Sequence, residues 1–208
     1  MVLGTNQLAI ASGAAPDPGA GTDFGFQQLL TSATNTFRMI NQGAGVLQIG
    51  AAPITGAQAG AFQVVGLPAS IQPGMTSAFQ IVFSPAFLGL HEAELRITNN
   101  SPVSGNASPY RLSLAATGVK KRVDVLSLTD TNPVYDGLPH AATVTVDPAV
   151  AVEVWYDGVT NPPTTAGVYQ VIATVNDATY CGSVTGVFDL VRRPLNVFCH
   201  DAVRGYGD

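Results

Sequence analysis

Ala78-Phe79-Gln80-Ile81-Val82-Phe83 decides the fold class. Side chains of an extended strand point alternately to two faces, so Phe79, Ile81 and Phe83 share one face. The same period recurs along the first half of the chain. In Ala93-Glu94-Leu95-Arg96-Ile97-Thr98, the residues Ala93, Leu95 and Ile97 form one face, with Glu94 and Arg96 opposite. Tyr110, Leu112 and Leu114 repeat the pattern, and Thr36 to Ile40 places Phe37 beside Met39. Turn formers punctuate these runs at Asn41-Gln42-Gly43, Pro73-Gly74, Ser84-Pro85 and Asn99 to Ser104. Short alternating runs separated by closely spaced turns predict an antiparallel sandwich.

Beyond Lys120 the pattern shortens. Val123 to Leu128, Ala142 to Val146, Val152 to Tyr156, Val168 to Val175 and Val184 to Val191 read as five strands. Asp136-Gly137, Asp157-Gly158, Asn161-Pro162-Pro163 and Ala166-Gly167 read as the turns between them. No segment shows an apolar stripe of helical period. These signals divide the chain into a module over residues 1–119, a smaller one over 120–193, and a segment, 194–208, that begins another apolar run. A chain of about 70 residues buries only roughly 60% of its unfolded surface, so the second module gains from neighbours. Five strands leave its topology open between a sandwich and a β-grasp-like arrangement.

Composition supports an all-β reading and narrows function. Hydrophobic residues make up 46% of the 208 residues, enough for packed cores. Charged residues are 11%, against roughly 25% in ordinary globular chains, so the Lys/Glu-rich surfaces of long helices are missing. Net charge is −5, and the densest basic cluster is Lys120-Lys121-Arg122, read as a solvated linker. Nucleic-acid binding is therefore not expected. Arg38 to Glu92 encloses no other charge, yet Gly, Pro, Gln and Ser interrupt it every few residues, so it is no membrane span. Residues 1–15 lack the basic start of a signal peptide, and any export signal is expected outside this chain. Cys181 and Cys199 are too few for a disulfide framework.

Further motifs carry a resemblance. Thr22-Asp23-Phe24-Gly25, Thr36 to Gly43, Leu47-Gln48-Ile49, Ile71-Gln72-Pro73-Gly74, Phe83-Ser84-Pro85 and Leu95 to Asn100 occur in an order that resembles the choice-of-anchor D module of bacterial surface proteins. That module is similar to the immunoglobulin-like domains of the Hydin and abnormal-spindle proteins. The resemblance implies an immunoglobulin-like sandwich of about seven strands over residues 2–118. Val134-Tyr135-Asp136-Gly137, Val154 to Gly158, Pro163 to Tyr169 and Ala173 to Tyr180 resemble the YDG-type repeats of large bacterial exported proteins. Arg193-Pro194-Leu195 through Arg204 to Asp208 resembles the first strand of a further, MBG/YGX-type repeat, and this resemblance implies that the chain is expected to be a piece of a longer protein. Such modules imply stalk or spacer roles, extracellular or at the cell surface, with no catalytic residues to carry over.

The residues themselves offer little chemistry. His91, His140 and His200 are far apart, and Cys199-His200 places two adjacent side chains on opposite faces of a strand. There is no Gly-x-Ser-x-Gly elbow, and Gly43-Ala44-Gly45 does not open a phosphate-binding helix. Asp17, Asp23, Asp136, Asp157 and Asp177 are weighed as Ca²⁺ ligands and read instead as turn residues. No catalytic, cofactor or metal site is expected. Trp155 and Tyr156 are the candidate ligand-stacking residues. Adjacent on a strand, they face opposite sides, and as the sole Trp the first is expected to anchor the core. Asn99-Asn100-Ser101 and Asn106-Ala107-Ser108 fit the glycosylation sequon. The expected function is a non-catalytic spacer or adhesive array whose partners are its neighbouring modules. The alternatives are a glycan- or protein-binding module using sandwich-end loops (Ala57 to Gly60 or Val103 to Ser108) and a cytoskeletal or ciliary-type adaptor.

Overall fold

The computed structural model describes residues 1–101 and 108–196. It is all-β: the described residues hold strands and one short 3₁₀ turn, Ala59–Ala61. No described helix is long and apolar enough to cross a membrane. The chain forms two compact units, Met1–Lys121 and a second starting at Arg122.

The first unit carries eleven strands among its described residues: β1 (Val2–Leu3), β2 (Ala9–Ile10), β3 (Asp23–Gln28), β4 (Ala33–Ile40), β5 (Leu47–Gln48), β6 (Ile54–Thr55), β7 (Phe62–Val65), β8 (Ser70–Ile71), β9 (Thr76–Phe83), β10 (Gly89–Ile97) and β11 (Tyr110–Val119). That exceeds the seven expected, because five of them are two-residue pairings too short to show a period. One sheet has the order β2-β1-β4-β9-β7, the other β3-β11-β10-β6, and β5 pairs with β8. The alternation read from sequence places the core between the two main sheets. Phe37, Phe79, Ile81 and Phe83 from one meet Leu95, Ile97, Leu112 and Leu114 from the other, all essentially without solvent contact. Phe37 stacks on Phe79 at 5.6 Å, and Phe24, Phe62 and Phe83 form a second aromatic group. All strand pairings in these two sheets are antiparallel except β3 with β11, which run parallel with a register shift between Ala115 and Thr117.

Tyr110 ties the start of β11 to the N-terminal segment, its hydroxyl donating to the Ile10 carbonyl at 2.6 Å. Burial pushes its phenol up from 10.0 to about 12. The folded unit thus keeps a proton that the unfolded chain gives up. The stability this contributes is complete below pH 10 and is lost as pH rises toward 12. Alkaline titration followed by tyrosinate absorbance is expected to show one tyrosine ionising together with loss of the first unit's structure. Independent ionisation in a still-folded unit would refute this.

β12 (Lys121–Arg122) spans the division, so the basic cluster is partly strand and not an open linker. The reason is backbone satisfaction: the next residue, Val123, already donates its N–H to Cys181 at 3.0 Å. The second unit continues with β13 (Val125–Thr129), β14 (Thr143–Asp147), β15 (Val152–Tyr156), β16 (Gly167–Val175), β17 (Tyr180–Cys181) and β18 (Ser183–Leu190). β15-β16-β18 form one sheet and β13-β14 another. The core is small: Ala142, Tyr156, Val171, Phe188 and Leu190, with Leu128, Val154 and Tyr169 packed against them. Asp157-Gly158 is a two-residue hairpin turn with φ of 47° and 87°. Tyr156 and Val159 close it by exchanging N–H···O bonds of 2.7 and 3.0 Å.

Candidate functional site

The two stacking candidates part company on β15. Tyr156 is 2% exposed and belongs to the core. Its ring meets Phe188 edge-on at 5.4 Å, and its hydroxyl accepts the Ala142 N–H at 2.8 Å. Trp155, expected in the core, is 36% exposed. Register explains the reversal. Tyr156 pairs with Val171, whose side chain is fully buried, whereas Trp155 pairs with Ile172 on the other face. The sequence held the signal: Val152, Val154 and Tyr156 share one parity, and Trp155 shares the other with the charged Glu153. The outer face around Trp155 thus carries Glu153 on the same strand, Gln170, Ile172 and Thr174 on β16, and Thr185 and Val187 on β18.

The first unit holds a cavity of about 460 Å³. Val2, Met39, Asn41, Ile97 and Tyr110 form its buried wall, and residues 42–46 with Asn100 form its exposed rim. The asparagine amides around it are engaged in building loops. Asn41 donates to the carbonyls of Gly45 (2.7 Å) and Ile71 (2.9 Å) and accepts the Gly43 N–H (3.0 Å). Asn100 accepts from Gln48 (2.9 Å) and donates to Val46 (3.1 Å). Asn99, the first sequon residue, accepts from Ser101 (2.9 Å) and donates to Ile97 (3.3 Å). The cavity therefore joins apolar side chains to asparagine amides that are engaged within the fold. Of the two loops proposed for ligand binding, Ala57 to Gly60 leads into the 3₁₀ turn and brings Gln58 as its only polar side chain. Val103 to Ser108 lies outside the described residues except for Ser108, as does the second sequon except for that same residue.

His91 is fully buried on β10 and was missed as a core residue. It shares the parity of Ala93, Leu95 and Ile97, which was legible. Its Nδ1 lies 2.9 Å from the Gly89 carbonyl, which can only accept, so Nδ1 carries the proton. Its ring stacks on Phe87 at 4.2 Å and meets Phe83 at 5.3 Å, and its Nε2 has no hydrogen-bond partner among the described residues.

The acidic candidates accept bonds from backbone N–H groups. Asp17 caps Gly19 (2.9 Å), Asp23 caps Gly25 (2.8 Å), Asp157 accepts from Gln170 (2.8 Å), and Asp177 accepts from Thr179 (2.7 Å) and Tyr180 (2.9 Å). No three His, Cys, Asp or Glu side chains gather among the described residues. Cys199 and His200 lie outside them.

Asp136 accepts the Leu138 N–H (2.9 Å) and bonds His140 Nε2 (2.8 Å). The Leu138 N–H first, and His140 second, hold its carboxyl below the ordinary carboxylate range. What this adds to stability is present above that ordinary range and is lost as pH falls through the lowered value. Replacing His140 with Ala is expected to move the Asp136 carboxyl back toward the ordinary range, as read by NMR titration. An unchanged titration would show that the pair is not coupled.

Comparison with known proteins gives one family match. The MBG domain model matches residues 125–192. The second unit thus carries an MBG-type repeat. The match falls on the segment read as YDG-type, one module earlier than the MBG/YGX-type strand expected over residues 194–208. No curated protein matches the chain. Among solved structures, the chain is similar to SSP-19, an MSP-domain protein like family member in Caenorhabditis elegans (10% identity, TM-score 0.29, covering 46% of this chain and 92% of that one). It is also similar to the secreted serine protease VesC from Vibrio cholerae (9%, TM-score 0.38, 81% and 42%) and to CBD12 from CALX1.2 (12%, TM-score 0.28, 81% and 68%). Likenesses this low carry no argument about function.

Proposed function

We propose that the chain is a non-catalytic spacer segment of a larger secreted or cell-surface bacterial protein. In this reading the first unit is a choice-of-anchor D, Hydin-like immunoglobulin-like module. The second belongs with the YDG- and MBG-type repeats. The observation that carries the proposal is the MBG match over a unit with its own closed core. The use of the polar side chains supports it, since the acidic turn residues and the loop asparagines satisfy backbone groups. The partners are neighbouring modules of the same polypeptide. Antibodies against this chain are expected to label intact, non-permeabilised cells of the producing organism. Labelling only after permeabilisation would overturn the surface assignment.

A second reading, adhesion to a surface glycan, draws on the outward Trp155 and its ring of amide, hydroxyl and carboxylate neighbours. Trp155→Ala is expected to abolish binding on a glycan array while shifting stability by less than about 1 kcal/mol, as for a half-exposed residue. Equal binding by both proteins would remove this reading.

A further inference from the structure

We infer that each unit is built to bear tension along the chain, through a shear clamp between the segment near its start and the strand at its end. The inference rests on the spacer reading, since tension reaches a module through its two ends.

In the first unit the entering chain meets the leaving strand β11 at its start and again over its second half. The Tyr110 hydroxyl donates to the Ile10 carbonyl (2.6 Å), the Arg111 N–H to Ser12 Oγ (3.0 Å), and the Gly13 N–H to the Arg111 carbonyl (2.9 Å). Further on, the Ala115 N–H donates to Thr22 (3.0 Å). β3 then runs parallel to β11 with Phe26 beside Thr117 and Gln28 beside Val119. The Leu29 N–H closes the ladder on the Val119 carbonyl at 2.8 Å.

The second unit repeats the arrangement with different residues. Asp189 donates to Thr131 (2.8 Å), Val191 to Pro133 (2.9 Å), and Tyr135 to Val191 (2.8 Å). Val134 and Val191 are a parallel bridge. Pro133 suits this place because it contributes only its carbonyl. The other edge of β18 is held antiparallel by β16 from Gly167 to Thr174.

Direction is what makes these ladders a clamp. Tension draws the start of the first segment one way and the end of the last strand the other. For parallel neighbours this load runs along the strands, so the evenly spaced bonds share it and must break together. If the same two strands are pulled from ends that lie side by side, the bonds open one at a time. The barrier to forced unfolding, which governs mechanical lifetime, is therefore larger in the first geometry.

The test is to pull the full chain in optical tweezers with two handle placements. Handles at the two chain ends load the second clamp in shear, and the first as well once the short strand β1 has parted from β2 and β4. Moving the first handle to Leu30, an exposed residue just past β3, sets the C-terminal end of β3 against that of β11 and unzips the first clamp. The second unit is loaded identically in both arrangements and serves as the reference. The first unit is expected to rupture at a severalfold lower force from Leu30, with the second unit's rupture unchanged. Equal rupture forces for the first unit in the two arrangements would overturn the clamp. Failure of surface labelling alongside this anisotropy would sink the surface assignment and leave the clamp standing.

Discussion

Phe188→Ala is expected to unfold the second unit and leave the first folded. Phe188 is fully buried, packs edge-on against Tyr156 at 5.4 Å, and is the largest wholly apolar side chain of a core with five buried members. Truncating such a phenylalanine costs about 3–5 kcal/mol, lost transfer energy plus the cavity left behind. A whole domain is stable by only about 5–15 kcal/mol, and small ones sit at the low end. The first unit has a separate core centred on Phe37, Phe79 and Phe83. In an NMR spectrum of the variant, dispersed resonances from the first unit should persist while those from β13 to β18 collapse. Persistence of both sets would show that the small core is far more stable than its size implies.

Gly118→Ala is expected to destabilise the first unit by about 1–3 kcal/mol, the usual cost of overpacking a tight site. A Cβ at Gly118 would lie 2.3 Å from the Phe87 carbonyl oxygen and 3.3 Å from His91 Cε1. The first contact is with backbone, so rotating a side chain does not relieve it. The strap from Pro85 to Leu88 must lift off β11, and Phe87 must leave the face of His91. Urea denaturation should show a lower midpoint for the first unit, with the His91 ring resonances shifted. An unchanged midpoint would mean that the strap yields freely.

The alternation in the sequence made the long strands legible. The runs at Phe37, Phe79, Leu95 and Leu112 all lie in strands with those residues inward. Val152–Tyr156 is a strand with the bounds read from sequence. Two kinds of feature stayed hidden. Two-residue strands such as Ile54–Thr55 contain no period to detect. Pairing partners are not written in alternation at all, so the parallel union of β3 with β11 was invisible. At the candidate sites the failure was of a different kind. The rule that a lone Trp anchors a core overrode the parity that grouped Trp155 with Glu153. The Asp-Gly turns succeeded because the backbone demanded something specific there, a positive φ at Gly137 and Gly158.

The union of β3 with β11 also sets a timetable for synthesis. β3 ends at Gln28, and among the described residues its only ladder partner is β11, which is complete at Val119. A ribosome adds roughly 5–20 residues per second, so β3 waits several seconds or longer with its edge bare. Contacts this distant in sequence also slow folding itself. The first unit is therefore finished by the last of its strands to be made, and until that strand emerges the nascent chain presents an open template to other chains.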